Sequence, residues 1–198
     1  MRRFLLICLS LVLALVGGSA ACAEDGFYVI GGGGKSASVP KTGQTTSYGP
    51  RDDGALQKGV AWPTPRFTDN GNGTVTDNLT RLIWMKNASA FGTKTWADAL
   101  SAANGLKSGD FDLTDGSKAG DWRLPNRREL FSLVDDSRYN PALPVVNPFT
   151  NVKSAFYWSS STYADATSSA WDVGFYDGYE GCGDKSSDYY MWPVRGGP

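Results

Sequence analysis

Phe67-Thr68-Asp69-Asn70-Gly71-Asn72-Gly73-Thr74-Val75-Thr76-Asp77 reads as a β-hairpin. Asn-Gly between β-prone residues supplies the positive φ that a tight turn needs, and it is the strongest short-range hairpin signal. The stretch has a rival reading as a calcium loop, because Asp69 and the two asparagines place oxygen groups in a loop. An EF-type loop wants oxygen side chains at its first, third and fifth positions and a glutamate at its twelfth. Gly71 and Gly73 take the third and fifth places counted from Asp69, so the hairpin is the better reading. A turn at Asn78-Leu79-Thr80 and a strand at Leu82-Ile83-Trp84-Met85 extend it into a β-meander.

Two helices are expected after the meander. Thr95 is a good N-cap, Trp96, Ala99, Leu100 and Ala103 recur at helical spacing, and Gly105 is a stop signal. The second helix starts at Asn126, with Glu129 three residues on as its capping-box partner. Leu130, Leu133 and Val134 form its buried stripe, Asp135-Asp136 end it, and Arg127-Arg128 read as a solvated face. Ser108 to Gly120, between the helices, is a polar loop. The chain then returns to β. Phe156-Tyr157-Trp158-Ser159 is a strand, and Ala170 to Tyr176 alternates, which puts Trp171, Val173 and Phe175 on one face. Asp172, Gly174 and Tyr176 then point outward. Asp177 to Asp188 reads as a glycine-rich loop before a last strand, Tyr189-Tyr190-Met191-Trp192, whose pairing Pro193 limits.

Upstream of the hairpin, residues 24–63 form an N-terminal strand, Phe27-Tyr28-Val29-Ile30, and an extended arm rich in Ser, Thr, Gly and Pro. Residues 1–23 read as a secretory signal: Met1-Arg2-Arg3, an apolar run from Phe4 to Val16, then small residues through Ala21-Cys22-Ala23. The apolar run is shorter than the roughly 20 residues a bilayer span needs. Cleavage is expected after Ala23, and the protein is expected to be exported, periplasmic or secreted. Ser19-Ala20-Ala21-Cys22 also loosely resembles a lipobox. Lipidation at Cys22 would be the protein's one link to a membrane, and whether Cys22 is removed or lipidated stays open.

Composition narrows the function. Loss of Arg2 and Arg3 leaves 17 basic against 20 acidic residues, without the basic excess that a nucleic-acid binder needs. The chain has no histidine, which removes Ser-His-Asp and Cys-His catalysis and His-ligated zinc. Past the leader region Cys182 is the one cysteine, so no internal disulfide holds residues 64–198 together. A lone exported thiol can pair between chains or sit free, and Gly181 and Gly183 around Cys182 favour an ordinary loop with a free or buried thiol. No cofactor or metal is expected. The tryptophans Trp84, Trp96, Trp122, Trp158, Trp171 and Trp192 are expected in the core.

The order of several motifs carries a resemblance. They are Pro40-Lys41-Thr42-Gly43-Gln44, Phe67 to Asp77, Leu82-Ile83-Trp84, Asp121-Trp122-Arg123-Leu124-Pro125-Asn126, Tyr157-Trp158-Ser159-Ser160 and Trp192-Pro193-Val194-Arg195-Gly196-Gly197. Together they resemble the Lcl C-terminal domain family, a bacterial family named for a collagen-like adhesin. The resemblance implies an α+β, C-type lectin-like fold over residues 64–198, with two helices packed on a twisted antiparallel sheet and long loops. It also implies a non-catalytic binding module. The adhesin of the family binds sulfated polysaccharide, and some relatives resemble retroelement-diversified receptors. The positions that match such a binding surface are Asp172, Gly174, Tyr176, Asp177, Tyr179, Glu180, Asp184 and Ser186. This sequence departs from the adhesin in having no collagen-like repeat. It also lacks the Glu-Pro-Asn and Trp-Asn-Asp sugar motifs of animal lectins and the cysteine pair of the formylglycine-generating enzymes.

The leading expectation is therefore an exported module that recognises an extracellular glycan or protein through its C-terminal strands and loop. Tyr176 and Tyr179 offer large contact area with a polar tip, among acidic neighbours. The alternatives are a structural or assembly subunit of the cell envelope, and, behind it, a hydrolase that uses paired carboxylates such as Asp135 and Asp136.

Overall fold

The computed structural model describes residues 39–196; the leader and Phe27–Ile30 lie outside the described residues. The fold is α+β, with short helices and two sheets. In chain order the helices are α1 (Asp53–Leu56), α2 (Trp96–Gly105) and α3 (Arg127–Phe131). The strands are β1 (Phe67–Asp69), β2 (Thr74–Asp77), β3 (Leu82–Met85), β4 (Thr93–Lys94), β5 (Phe156–Thr162), β6 (Ser169–Gly174), β7 (Tyr179–Asp184), β8 (Tyr189–Tyr190) and β9 (Val194–Gly196).

The first sheet runs β1-β2-β3-β9 and is antiparallel throughout. Its β1–β2 hairpin is the one the Asn-Gly signal predicts, and Gly71 and Gly73 both take positive φ in the turn. A Cβ at Gly73 would lie 3.0 Å from the carbonyl oxygen of Asp112, so a packed neighbour as well as the turn favours glycine there. The second sheet runs β4-β8-β5-β6-β7 and is mixed, because β5 and β8 pair in parallel. The expected single antiparallel sheet is thus two sheets. The last strand splits at Pro193: Tyr189–Tyr190 joins the second sheet, and Val194–Gly196 crosses to the first, where it pairs with β3. Proline lacks the N–H needed to continue a ladder, which accounts for the break.

Both helix starts follow the sequence. Thr95 caps α2, and Asn126 and Glu129 form the reciprocal capping box of α3. α3 is shorter than the Leu130–Val134 stripe suggests. It ends at Phe131, while Leu133 and Val134 are still buried beyond it. Asp135 and Asp136 lie outside the helix.

The main core joins the two sheets. Trp84, Trp122, Tyr157, Phe175 and Trp192 are fully buried in it, and a second cluster places Ala99 and Ala103 of α2 against Trp158, Ala170 and Met191. Three of the four fully buried indoles find acceptors, for Trp192 donates to the Met85 carbonyl, Trp158 to the Lys94 carbonyl and Trp122 to the Ser117 hydroxyl, while the Trp84 N–H has no partner. Trp96 and Trp171 depart from the expected core, for both are only partly buried.

The arm from residue 39 to 63 packs against the segment that follows α3 and against Arg66. Lys41 and Val60 are joined by a backbone hydrogen bond, the Asp136 amide donates to the Thr42 carbonyl, and the Trp62 indole donates to the Lys41 carbonyl. Trp62 and Phe67 flank the Arg66 guanidinium at 4.3 and 4.8 Å. No helix among the described residues is long and apolar enough to cross a membrane.

Candidate recognition site on β6 and β7

The stretch expected as a glycine-rich loop is β7, paired along its length with β6. Gly181 and Gly183 permit this because their missing side chains make room for the rings of Tyr179, Tyr189 and Trp158. A Cβ at Gly183 would lie 2.8 Å from the Tyr189 hydroxyl and 2.9 Å from the Trp158 ring. Glycine is otherwise a weak strand former, so the local signal pointed to a loop. β7 ends the strand order of its sheet, and Cys182 is a free, exposed thiol on it.

The register divides the expected binding residues between two faces. Asp172 opposes Gly181 and Gly174 opposes Tyr179, so these four share one face. Glu180 opposes Val173 and lies on the other face with Trp171 and Cys182. There Arg127 makes a two-pronged salt bridge to Glu180, with N–O distances of 2.7 and 2.9 Å, and its guanidinium stacks 3.5 Å over the Trp171 ring. Arg127 is thus no simple solvated residue: it ties α3 to β6 and β7, and its pairing with Glu180 holds it above its ordinary pKa. Asn126, Arg127, Arg128, Ser161 and Trp171 line an open cleft of about 380 Å³ on this side.

The expectation of outward side chains fails at Asp172 and Gly174, which are both buried. Asp172 is 2 % exposed and its Oδ1 has no hydrogen-bond partner. Strict alternation predicts exposure on one face of a half-buried strand, but both faces of β6 are covered here, by α3 on one and by aromatic rings and α2 on the other. Tyr176, Asp177, Tyr179, Asp184 and Ser186 are exposed, as expected. Tyr176 is 54 % and Tyr179 60 % exposed. Asp177 accepts the Tyr179 amide. Asp184 accepts the amide and hydroxyl of Ser186, which hold its carboxyl below the usual range.

Sequence reasoning named Tyr179 but missed Phe156 and Tyr189, the other rings around Asp172. Phe156 is 43 % exposed and lies over Gly174, where a Cβ would meet its ring at 3.1 Å. Tyr179 lies over Gly181: a Cβ there would sit 2.9 Å from the tyrosine Cε1 and 3.0 Å from Asp172 Oδ1. Tyr189 stacks on Trp158 at 4.4 Å and approaches Phe156 at 5.4 Å. The result is an aromatic surface over three glycines with a carboxyl at its base. The glycines and rings are visible in the sequence, but the register that superimposes them is not.

Burial pushes the Asp172 carboxyl up to about 6 from its ordinary 3.8. A carboxyl whose folded value lies above its unfolded one binds its proton more tightly when folded. Its contribution therefore favours folding at low pH and is lost as the pH rises through about 6. Asp172→Asn removes that loss. The variant is expected to be more stable than the wild type at neutral pH, with the gap closing toward about pH 4. Denaturant melts at both pH values check this, and a gap equal at both would contradict the assignment.

A second cleft, of about 590 Å³, opens beside the β1–β2 turn and is lined by Lys86, Asn87, Phe111, Asp112, Thr150 and Asn151. Asn151 donates to Asn87 and Lys86 pairs with Asp69. The paired acids Asp135 and Asp136 line neither cleft. Asp135 is buried and its Oδ1 accepts from the amide and hydroxyl of Ser137. Burial, with Asp135 and Asp53 nearby, pushes the Asp136 carboxyl up.

These features define an α+β domain with two antiparallel-rich sheets and an aromatic, partly acidic surface on its C-terminal strands. Residues 73–195 match the Lcl C-terminal domain family, and the chain belongs to that family. No curated protein matches the sequence.

Proposed function

We propose that this protein is an exported, non-catalytic recognition module with a C-type lectin-like fold, which binds an extracellular glycan or protein through β6, β7 and the turn between them. The observation that carries this reading is the group of exposed rings, with Phe156 and Tyr179 on the paired strands β5 and β7 and Tyr176 in the tight turn that joins β6 to β7. Exposed aromatics give large contact area at low entropic cost, and a rigid platform avoids the cost of ordering the site on binding. The signal-like leader supports export, where such a ligand would be met. The burial of Asp135 and its ties to Ser137 weigh against a carboxylate hydrolase.

An array of glycans and extracellular proteins tests the reading. The wild type is expected to retain a ligand that the Tyr176→Ala, Tyr179→Ala double variant loses by at least about tenfold while keeping its thermal melt, since aromatic anchors dominate such interfaces. Unchanged binding by the folded double variant would show that the face is wrong. An assembly subunit is the second reading, favoured by the terminal position of β7 and its exposed Cys182. That reading expects multimers at native mass without any added ligand.

A further inference from the structure

A buried carboxylate oxygen with no hydrogen-bond partner is uncommon, and each instance calls for a physical reason. Oδ1 of Asp172 is such an atom. No lysine or arginine among the described residues forms an ion pair with it. Two cations sit near its strand, and both are engaged elsewhere. Arg127 is bound to Glu180 on the opposite face, and the Lys185 ammonium donates to the Thr162 hydroxyl and the Thr167 carbonyl while lying 4.1 Å from the Trp96 ring centre.

The surroundings of Asp172 are aromatic and glycine-lined. Tyr179 and the Asp172 carboxyl meet at the space left by the absent Cβ of Gly181, and Tyr189 and Phe156 continue the lining. The Tyr189 hydroxyl is held above its ordinary pKa by burial and then by the Asp172 carboxylate, which places the two groups within electrostatic reach. Tyr179 is the outermost ring. It is 60 % exposed, and its amide donates to Asp177.

We propose that Asp172 receives the ammonium group of a lysine side chain carried by a protein partner, with Tyr179 turning aside to admit it. This rests on the reading of β6 and β7 as the recognition surface and names the chemistry that surface selects. The ammonium supplies the charge-assisted hydrogen bond that Oδ1 lacks, and ring faces attract a cation. The four methylenes of lysine lie against Tyr179 and Phe156. An anion would be repelled by Asp172, and an uncharged apolar group would leave Oδ1 unpartnered. An amino sugar would bring several hydroxyls into a lining of rings and glycines with few groups to satisfy them, which is costly.

The test is an NMR titration of the full mature chain with Nα-acetyl-lysine-N′-methylamide. The norleucine analogue keeps the stem without the charge, and glucosamine carries the ammonium on a sugar. The lysine probe is expected to shift the amides of Asp172, Gly181 and Gly183 saturably, and Asp172→Asn is expected to weaken it at least about tenfold, the loss of one charge-assisted hydrogen bond. That variant is uncharged at the buried position and stays folded, which its melt confirms. Absence of saturable shifts in the wild type, equal shifts with norleucine, equal affinity in Asp172→Asn, or glucosamine binding in place of the lysine probe would each overturn the proposal. If the lysine probe fails while the tyrosine double variant still loses an array ligand, the lysine assignment falls and the recognition surface stands; if both fail, both fall.

Discussion

Trp192→Ala is expected to lower stability by about 3–5 kcal/mol, the range for deleting a fully buried large aromatic. Trp192 follows β8 and precedes β9, where the chain passes from one sheet to the other. Its ring lies 4.8 Å from Phe149, 5.6 Å from Phe175, 5.7 Å from Tyr157 and 5.8 Å from Trp84. Trp84 lies on β3 of the first sheet, Tyr157 on β5 of the second, Phe175 in the turn after β6 and Phe149 in the loop before β5. The indole N–H also donates to the Met85 carbonyl at 2.8 Å, so truncation leaves a cavity and an orphaned acceptor together. No disulfide among the described residues is available to offset the loss. Urea unfolding checks the size of the effect, and a cost below about 1 kcal/mol would mean that the sheets are held together elsewhere.

Asp77→Asn is expected to cost about 3 kcal/mol or more, because it strips the charge partner from a buried guanidinium. Asp77 is fully buried at the end of β2, and its Oδ2 lies 3.4 Å from the Arg66 Nη2. Arg66 also donates to the Ser132 carbonyl, while its Nε and Nη1 have no partner. Burial lowers the arginine's pKa, and Asp77 opposes that shift. Asparagine keeps an oxygen for the Leu79 amide, which Asp77 Oδ1 accepts at 2.9 Å, so the turn at Asn78-Leu79-Thr80 retains its local bond. The bond that the Thr80 hydroxyl donates to Oδ2 is lost together with the ion pair, and the cost reports both. Adding Arg66→Met to Asp77→Asn is expected to recover most of it, since removing both charges ends the unpaired burial. If the double variant is no more stable than Asp77→Asn alone, the guanidinium contributes through its packing between Trp62 and Phe67 instead.

Local signals made much of this fold readable. Asn70-Gly71 marked the hairpin because its turn type needs positive φ, and Thr95, Asn126 and Glu129 marked helix starts because unpaired N–H groups need acceptors. What the sequence concealed were non-local pairings. Pro193 signalled a break but not that Val194–Gly196 would resume in the other sheet. Gly181 and Gly183 read as loop because their value in β7 depends on rings from Tyr179 and Tyr189 occupying the space above them.

The candidate site was legible to a similar degree. Tyr176, Asp177 and Tyr179 are exposed; the alternation of residues 170–176 pointed to Tyr176, and the family resemblance to the other two. Glu180 is held by Arg127, a partner 53 positions earlier in the chain that no spacing rule connects to it. Asp172 was placed outward by its alternation with Trp171 and Val173. Its burial follows from Phe156, Tyr179 and Tyr189 converging over the strand, which depends on the order β8-β5-β6-β7.

The claim that β6, β7 and their turn form the recognition surface is tested most directly by hydrogen exchange on the protein with and without an array-retained ligand. Bound ligand is expected to slow exchange across Asp172 to Asp184, including the exposed turn at Tyr176 and Asp177, and to leave the cleft at Lys86, Asn87 and Asn151 unchanged. Slowing confined to that cleft, with β6 and β7 exchanging as in the free protein, would contradict the account.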